Sequence, residues 1–377
     1  MKKILFFIES LQLGGSEKSL INLLSYLDYE EYDIHLMVSK RGGCFEILAP
    51  SHLKIEESTG IKIGIFPRIK YKILRLCNYK KKYHNAQLFW QSVTKSIPIQ
   101  QGEYDVAIAW AQGFATYFVG EKIKAKKKYA WVNTDYQKAG YNCKRDLPVY
   151  NKFDKVVGVS IFVKDGMQNF LDKEKVIYIR DIVDPEDIIS KAKEVSPSLQ
   201  FEEELINIVS VGRLSKPKQF NLSIETAKRL IDDGYKIKWY IIGEGSERLY
   251  LEGLIKGYQL QNKVILLGYR ENPYPYINAC DIYVQTSSFE GLGMTVIEAK
   301  ILCKPIVSTN FPTASEILEN GKLGIITEMN VESVSEGIKK FIDDDVFKKK
   351  IIDELGKVKD VEKEKTLSEI KKLFDSE

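Results

Sequence analysis

The chain has 377 residues, of which 44% are hydrophobic and 29% are charged, and its formal net charge is +4. This composition is that of an ordinary globular protein and argues against disorder, and the length favours two domains over one. The opening stretch MKKILFFIES becomes polar at Glu9 and has no small-residue cleavage site, so it predicts a buried first strand and not a signal peptide. No run approaches the roughly 20 apolar residues of a membrane-spanning helix, so we expect any membrane association to be peripheral.

Cysteine and histidine usage gives no indication of a disulfide framework or a zinc site. The five cysteines are scattered without a C-x-x-C pair, and the chain has only three histidines. A reducing cytoplasm fits this pattern. The charge is unevenly distributed, because residues 1–180 hold 29 Lys and Arg against 18 Asp and Glu, whereas residues 181–377 hold 27 against 34. We expect the two halves to meet different partners.

Both halves alternate short β-rich runs with longer amphipathic helical runs, which is typical of a doubly wound parallel sheet. The predicted fold class is therefore α/β, with two Rossmann-like domains at 1–184 and 205–377 joined by a polar linker at 185–204 that contains a short helix. The last helix could also pack back on the first domain. Ligands bind at the carboxyl ends of the strands in such sheets, so we expect the two crevices to face each other across a central cleft. The predicted strands are 4–8, 34–38, 106–110, 129–132, 156–159, 176–179, 206–211, 238–242, 264–267, 282–285, 305–308 and 323–326.

A glycine pair, Gly14 and Gly15, lies between the first predicted strand and a helical run. Such a pair either lets a diphosphate or an acceptor approach the backbone or forms a strand-to-helix turn that needs positive φ. Taken alone, the residues favour the turn.

The segment 59–101 contains no acidic residue and interleaves basic side chains with aromatic and aliphatic ones. This pattern is typical of an interfacial helix on an anionic leaflet, where each Lys or Arg contributes about 1 kcal/mol. A solvated helix face and a nucleic-acid patch are the alternatives, and we expect no nucleic acid. A second basic cluster at 122–128 would add to the membrane surface. The residues expected at the membrane are Arg68, Lys70, Lys72, Arg75, Lys80, Lys81 and Lys82.

Two cations, Arg213 and Lys218, flank the loop RLSKPK after a predicted buried strand. An Arg fork and a mobile Lys suit a pyrophosphate, whereas the alternative is a pair of solvated loop cations. In the next such loop, Gly243 and Gly245 begin the run GEGSER, but Arg248 occupies the third glycine position of a dinucleotide motif. We therefore expect these glycines to serve backbone geometry.

The stretch SSFEGLGMTVIEA carries Glu290 and Glu298, seven residues apart, on a Gly-containing loop and the helix that follows it. A helix N-terminus that follows a strand in this way is a ready anion site. Two carboxylates beside a phosphate need hydroxyl donors, because an ionised carboxylate only accepts hydrogen bonds. A sugar nucleotide supplies both groups, whereas the alternative is two unrelated surface glutamates.

The stretch from Glu290 to Glu298 resembles the E-x7-E signature of the retaining glycosyltransferases of family 4, which have the GT-B fold. The resemblance extends in order along the chain and covers the second half throughout, but the first half mainly at its first loop. The segments that carry it are LGGSEKSLINLL, VGRLSKPKQF, IIGEGSERLYLE, LLGYRENPYPYI and the E-x7-E stretch.

The resemblance implies roles for individual residues. Arg213 and Lys218 would stabilise the leaving diphosphate and Glu290 would contact the transferred sugar, so these three are the expected catalytic residues. Glu298 would hold the ribose. The remaining residues expected at the donor are Gly291, Leu292, Gly293, Met294, Thr295, Tyr269, Arg270, Gly14 and Gly15. For the Tyr269 and Arg270 loop, which in the family meets the nucleobase, a plain surface turn is the alternative.

The sequence departs from the family at Asn133, where many relatives carry a histidine near the scissile bond. Asn133 can hydrogen-bond a sugar hydroxyl but cannot take a proton, and Asp135 could contact the acceptor, act as a base or simply cap a turn. The identity of a catalytic base stays open. Asp343, Asp344 and Asp345 lie between helical runs near the C-terminus, so we expect helix capping there and no obligatory metal or other cofactor.

Together these observations predict a retaining GT-B glycosyltransferase that moves a hexose-type sugar from a nucleotide donor, best a UDP-sugar, to a hydroxyl of a lipid-linked or polysaccharide acceptor. The expected setting is the cytoplasmic face of a bacterial plasma membrane, in surface glycan synthesis. A GT-B-like sugar phosphorylase or sugar-nucleotide epimerase, and a non-catalytic membrane or nucleic-acid binding protein, are the alternatives.

Overall fold

The computed structural model describes residues 1–12, 14–59, 63–80, 82–194, 201–202, 204–358 and 362–376. These residues form two compact units, the first spanning Met1–Ile182 with Val361–Glu377 and the second spanning Val183–Asp360. The predicted linker, 185–204, therefore begins inside the second unit. Lys81 and the first residue of the glycine-rich run, Leu13, lie outside the described residues.

The strands are β1 (Lys2–Ile8), β2 (Tyr32–Val38), β3 (Ile55–Glu57), β4 (Glu103–Ala109), β5 (Lys124–Val132), β6 (Lys155–Gly158), β7 (Val176–Tyr178), β8 (Ile206–Val211), β9 (Ile237–Ile242), β10 (Val264–Gly268), β11 (Ile282–Gln285), β12 (Ile306–Thr309) and β13 (Ile325–Thr327). The helices are α1 (Gly15–Leu24), α2 (Ile65–Cys77), α3 (Asn85–Val93), α4 (Phe114–Lys122), α5 (Cys143–Tyr150), α6 (Ile161–Gln168), α7 (Pro185–Ala192), α8 (Phe220–Asp232), α9 (Arg248–Gly257), α10 (Tyr274–Ala279), α11 (Met294–Ile301), α12 (Ala314–Ile317), α13 (Val331–Asp343), α14 (Asp345–Gly356) and α15 (Glu362–Asp375).

Each unit is built on one parallel sheet. In the described residues the first sheet has the order β3-β2-β1-β4-β5-β6-β7 and the second has the order β10-β9-β8-β11-β12-β13. In both sheets the order reverses beside the first strand of the unit, between β1 and β4 and between β8 and β11, and ligands bind outside the carboxyl ends of strands at such a switch point. The predicted α/β class with two doubly wound sheets is confirmed.

All twelve predicted strands are present, and the central ones form the cores because their apolar runs are buried on both faces. Strand β3 was not predicted, since its three residues, IEE, carry no apolar run. The C-terminal helix α15 packs on the first unit: the ring of Phe374 lies edge-on to the ring of Tyr32, and the Tyr129 hydroxyl donates to the Leu373 carbonyl at 2.9 Å.

The second predicted basic cluster, 122–128, lies at the end of α4 and in the first half of β5, and its role at a membrane stays a prediction. Residues 124 onward belong to β5, which pairs with β4 and β6, so successive side chains point to opposite faces of the sheet. Lys126 forms an ion pair with Asp105 at 2.7 Å, and Lys128 donates to the Val119 carbonyl at 3.0 Å. Lys126 and Lys128 thus have partners within the first unit, whereas Lys124 is exposed.

Candidate active site

The loop that carries Arg213 and Lys218 follows β8 and contains a 3-10 turn over Lys216–Lys218. Its backbone is fixed to the next loop of the sheet, because Leu214 N donates to the Glu244 carbonyl at 2.9 Å. Arg213 is exposed, whereas the side chain of Lys218 is only 19% exposed. Both cations therefore lie beyond the carboxyl end of β8, at the switch point of the second sheet.

Gly243 and Gly245 make this close packing possible. Gly243 has φ of +144°, and a Cβ atom there would lie 1.9 Å from the Gly212 carbonyl oxygen. A Cβ atom at Gly245 would lie 2.2 Å from the Leu214 carbonyl oxygen. The prediction that these glycines serve backbone geometry is confirmed, and the backbone that they support is the loop of Arg213 and Lys218.

The carboxylate of Glu290 lies directly against Lys218. The Lys218 ammonium forms an ion pair with Glu290 Oε1, and the side chain of Glu290 is 13% exposed. The same oxygen accepts from Ser287 Oγ at 2.6 Å and from Gln285 Nε2 at 3.1 Å. The structure thus brings together two of the three predicted catalytic side chains, and it surrounds the carboxylate with fixed donors.

Further hydrogen bonds join the loops of Lys218 and Glu290. Ser288 N donates to the Pro217 carbonyl at 2.8 Å, and Thr286 Oγ1 donates to the Lys218 carbonyl at 3.0 Å. Thr286 also shares a hydrogen bond of 2.9 Å with Ser223 on α8. Because Thr286 and Ser223 are fully buried, these hydrogen bonds anchor both charged side chains to the interior of the second unit.

Helix α11 begins next to these loops. Its N-cap, Gly293, has φ of +80°, and a Cβ atom there would approach Ile317 Cδ1 to 2.8 Å, so both the backbone conformation and the packing require glycine. The residues that precede it, Gly291 and Leu292, are buried, and Met294 and Thr295 form the first turn. Amide groups in a first turn have no partner within the helix and carry the positive end of its dipole.

Glu298 lies on α11 and is 2% exposed. Its Oε1 accepts a hydrogen bond of 3.3 Å from the hydroxyl of Tyr274, the first residue of α10. Burial and then the Glu298 carboxylate raise the pKa of Tyr274 well above its usual range, so the phenol remains a donor. Glu298 is therefore held in the interior of the second unit and not on an open surface.

The predicted nucleobase loop follows β10. Arg270 is partly buried and its guanidinium is held in place, since Nε donates to the Tyr276 hydroxyl at 3.2 Å and Nη1 donates to the Tyr269 carbonyl at 3.0 Å. Tyr269 is also partly buried. The loop is thus ordered by its own side chains, which is more than a plain solvated turn requires.

The remaining predicted residues lie in the first unit, beyond the carboxyl ends of β1 and β5. Gly14 has φ of −178°, which any residue can adopt, so the expectation of a turn that needs positive φ is wrong at this glycine. Gly15 begins α1. Asn133 Nδ2 donates to the Trp110 carbonyl at 2.7 Å, whereas its Oδ1 is buried and has no hydrogen-bond partner within the described ranges. Asp135 accepts from Lys138 N at 3.0 Å, which is the capping role.

Helix α2 carries the predicted membrane segment and has no buried residue. Its exposed apolar stripe includes Phe66 and Leu76, which are 86% and 80% exposed. Arg68, Lys70, Lys72 and Arg75 flank the stripe, and Lys80 and Lys82 follow. Tyr71 faces inward against Phe89 of α3, with ring centroids 5.4 Å apart. No helix in the described part of the chain is long and apolar enough to cross a membrane.

Sequence reasoning missed three polar residues that organise the site: Gln285, Ser287 and Tyr274. A signal was available for the first two, because the apolar strand β11 ends abruptly in the polar run QTSS. Tyr274 gave no such signal, since its contact with Glu298 depends on how α10 and α11 pack.

The acidic run 343–345 and the other potential metal ligands do not form a metal-binding cluster in the described part of the chain. Among the described residues no group of three His, Cys, Asp or Glu side chains could hold a metal ion. Asp344 caps α14, with its Oδ1 accepting from Phe347 N at 2.8 Å, and Asp343 accepts from the Tyr235 hydroxyl at 2.7 Å. The prediction of helix capping in this acidic run is confirmed for Asp344.

Comparisons with known proteins identify the class. Residues 191–357 match the family model of the glycosyl transferases group 1. The Anabaena protein HepE in complex with UDP and glucose is similar in structure, with a TM-score of 0.73 at 18% identity over all of both chains. The chain is therefore a glycosyltransferase with the GT-B fold, and its second unit carries the glycosyl transferases group 1 domain.

Two curated relatives narrow the setting. The chain is 29% identical over 357 residues to the N-acetylgalactosamine-N,N'-diacetylbacillosaminyl-diphospho-undecaprenol 4-alpha-N-acetylgalactosaminyltransferase of Campylobacter jejuni, covering 93% of this chain and 92% of that protein. It is 26% identical over 199 residues to the poly(ribitol-phosphate) alpha-N-acetylglucosaminyltransferase of Staphylococcus aureus, covering 52% and 38% of the two chains. The first relative is named for a diphospho-undecaprenol substrate and the second for a poly(ribitol-phosphate) substrate.

Proposed function

We propose that this glycosyltransferase transfers a hexose-type sugar from a UDP-sugar, with retention of anomeric configuration, to a hydroxyl of a lipid-linked saccharide. The observation that carries the proposal is the contact between Lys218 and Glu290 at the switch point of the second sheet. A cation for the leaving diphosphate and a carboxylate for the sugar hydroxyls are thus side by side.

In the proposed reaction, the diphosphate draws the ammonium of Lys218 away from Glu290. The ammonium, together with Arg213, then stabilises the charge that develops as the glycosidic bond breaks. Glu290 accepts a hydrogen bond from a hydroxyl of the transferred sugar, and Glu298 accepts from the ribose. The first-turn amides of α11 receive a phosphate or sugar oxygen. No metal is assigned to this reaction.

The donor is tested by thermal shift with UDP- and GDP-sugars, followed by release of nucleoside diphosphate. We expect stabilisation by a UDP-sugar that is lost in Lys218→Met but retained in Lys350→Met, which removes an exposed lysine of α14. Failure of every sugar nucleotide to stabilise the protein would contradict the proposal. Retention is tested separately by the anomeric coupling constant of the product, and a product of inverted configuration would contradict that part alone.

The proposed acceptor is lipid-linked because the Campylobacter relative is named for a diphospho-undecaprenol substrate and because α2 presents an apolar stripe flanked by cations. Such a helix suits an anionic leaflet, with the apolar side chains inserted and the cations at the head groups. We place the enzyme on the cytoplasmic face of the plasma membrane, where nucleotide sugars and lipid-linked acceptors meet.

Vesicle flotation tests the membrane surface. Neutralising Lys72 and Arg75 to Gln should lower binding to phosphatidylglycerol vesicles about 30-fold, at about 1 kcal/mol for each charge. The matched control neutralises Lys349 and Lys350, two cations of α14, and should leave binding unchanged. Equal loss in both double variants would show that net charge and not α2 determines binding.

A further inference from the structure

Gln285 is the last residue of β11 and is 1% exposed, yet its side chain makes four hydrogen bonds. Its Nε2 lies 2.7 Å from Ser287 Oγ and 3.1 Å from Glu290 Oε1. Its Oε1 accepts from the hydroxyl of Tyr283 at 2.8 Å and from that of Thr295 at 3.2 Å. Because an ionised carboxylate only accepts, the nitrogen of the amide must face Glu290, and the orientation of Gln285 is fixed.

Both donors of this amide converge on one carboxylate oxygen. One reaches Glu290 Oε1 directly, and the other is accepted by Ser287 Oγ, which donates in turn to the same Oε1 at 2.6 Å. Tyr283 on β11 and Thr295 on α11 hold the opposite end of the amide. Gln285 therefore links the sheet and the first turn of α11 to the carboxylate.

Among the described residues, every hydrogen bond to Glu290 reaches Oε1, and Lys218 supplies the third. Oε2 is consequently the atom that can accept from a sugar hydroxyl. Once a diphosphate has taken Lys218, only Ser287 and Gln285 keep the carboxylate in its orientation.

We propose that Gln285 is a positioning residue for the transfer reaction: it holds Glu290 Oε1 in place after Lys218 has moved to the diphosphate, so that Oε2 stays directed at the transferred sugar. This role rests on the proposed function, in which Glu290 contacts the sugar. It acts through Glu290, so it affects turnover more than binding of the nucleoside diphosphate.

Two substitutions test the role, with hydrolysis of the UDP-sugar identified in the thermal-shift panel as the assay. Gln285→Met keeps the length of the side chain but removes both donors, and kcat should fall about 10- to 100-fold while the Kd for UDP stays within about twofold. Gln285→Glu places a second carboxyl group against Glu290. When the two carboxyl groups share one proton, that proton replaces the hydrogen bond that the Gln285 amide donates to Glu290. Its kcat relative to the wild type should therefore rise as the pH is lowered from 8 to 6.

The matched control is Ser210→Ala on the neighbouring strand β8. Ser210 is also buried and hydrogen-bonded, donating to the Val284 carbonyl at 2.6 Å, but it does not touch Glu290. Its kcat should stay within about twofold of the wild type.

Three outcomes would count against the role. A Gln285→Met variant with the kcat of the wild type would overturn it while leaving the proposed function intact. Parallel losses of kcat and UDP affinity in Gln285→Met, with no pH dependence in Gln285→Glu, would show a structural role only. A wild-type protein that cleaves no sugar nucleotide would overturn the proposed function and this role together.

Discussion

Replacing Glu290 by Gln should strengthen the binding of UDP while it weakens sugar transfer. In the ligand-free protein the carboxylate competes with the diphosphate for the ammonium of Lys218, because the two side chains already form an ion pair that is largely shielded from water. Glutamine keeps the shape of the side chain and can still bind a sugar hydroxyl, but it removes the competing negative charge.

The geometry of the Lys218–Glu290 pair sets the size of the expected gain in UDP affinity. A phosphate oxygen that binds the Lys218 ammonium beside Glu290 would lie about 5–6 Å from the carboxylate, which is about twice a hydrogen-bond distance. Two like charges at that separation repel by about 3 kcal/mol at an effective dielectric constant of about 20. Counterions and relaxation reduce this value, so we expect UDP to bind about 10-fold tighter, or about 1.4 kcal/mol.

Isothermal titration with UDP, which lacks the sugar, isolates this effect from contacts of Glu290 with the donor. Lys218→Met should weaken UDP binding about 10- to 100-fold, as expected for the loss of a hydrogen bond between charged groups. In that background the further change Glu290→Gln should have less effect than in the wild type. The control is Glu332→Gln on α13, which removes one carboxylate paired with Arg229 at 3.1 Å. Unchanged or weaker UDP binding by Glu290→Gln would refute the reasoning.

Three further predictions concern stability, all measured by urea denaturation. Burial raises the pKa of Asp181 to about 7, above its value in the unfolded chain. The contribution of Asp181 to the free energy of unfolding is therefore fully present below about pH 4, and it declines and is lost as the pH rises through about 7. Asp181→Asn should remove up to about 4 kcal/mol of that decline, and parallel pH profiles would contradict this. Gly243→Ala should lower the free energy of unfolding by more than about 2 kcal/mol, because its Cβ would meet the Gly212 carbonyl, whereas Gly253→Ala, which meets no atom within 4 Å in α9, should raise it by about 0.5–1 kcal/mol. Equal effects of the two alanines would refute the close-approach argument. Asp344→Ala should cost about 1 kcal/mol through loss of the α14 cap, and no loss would show that solvent replaces the cap.

The strands were predictable because both sheets are parallel and their central strands are buried on both faces. Such strands are short continuous apolar runs, and each of the twelve runs became a strand. The exceptions follow from the same physics. The polar β3 pairs along the edge of β2, and the lysines of β5 extend a strand whose apolar part begins only at Tyr129. In both cases hydrogen bonding to a neighbouring strand produced a β-strand at residues whose side-chain pattern does not predict one.

The residues of the site likewise divide into those that local sequence features predict and those that only tertiary packing brings together. Strand ends and loop glycines are local features, so sequence alone placed Arg213, Lys218, Glu290 and Glu298 around the carboxyl ends of the second sheet. Contacts between residues far apart in the chain are not local. The ion pair of Lys218 with Glu290 spans 72 positions, and the hydrogen bond of Tyr274 to Glu298 spans 24.

The amino-acid sequence by itself determined the class of fold, the boundaries of most strands and the chemical types available for catalysis, since these follow from apolar periodicity and from residue identity. Only the tertiary structure decided which atom of Glu290 is held, which neighbours hold it and that Gln285 is among them. Hydrogen bonds are directional and short, so their partners are set by how β8, β11 and α11 pack and cannot be read from the order of residues along the chain.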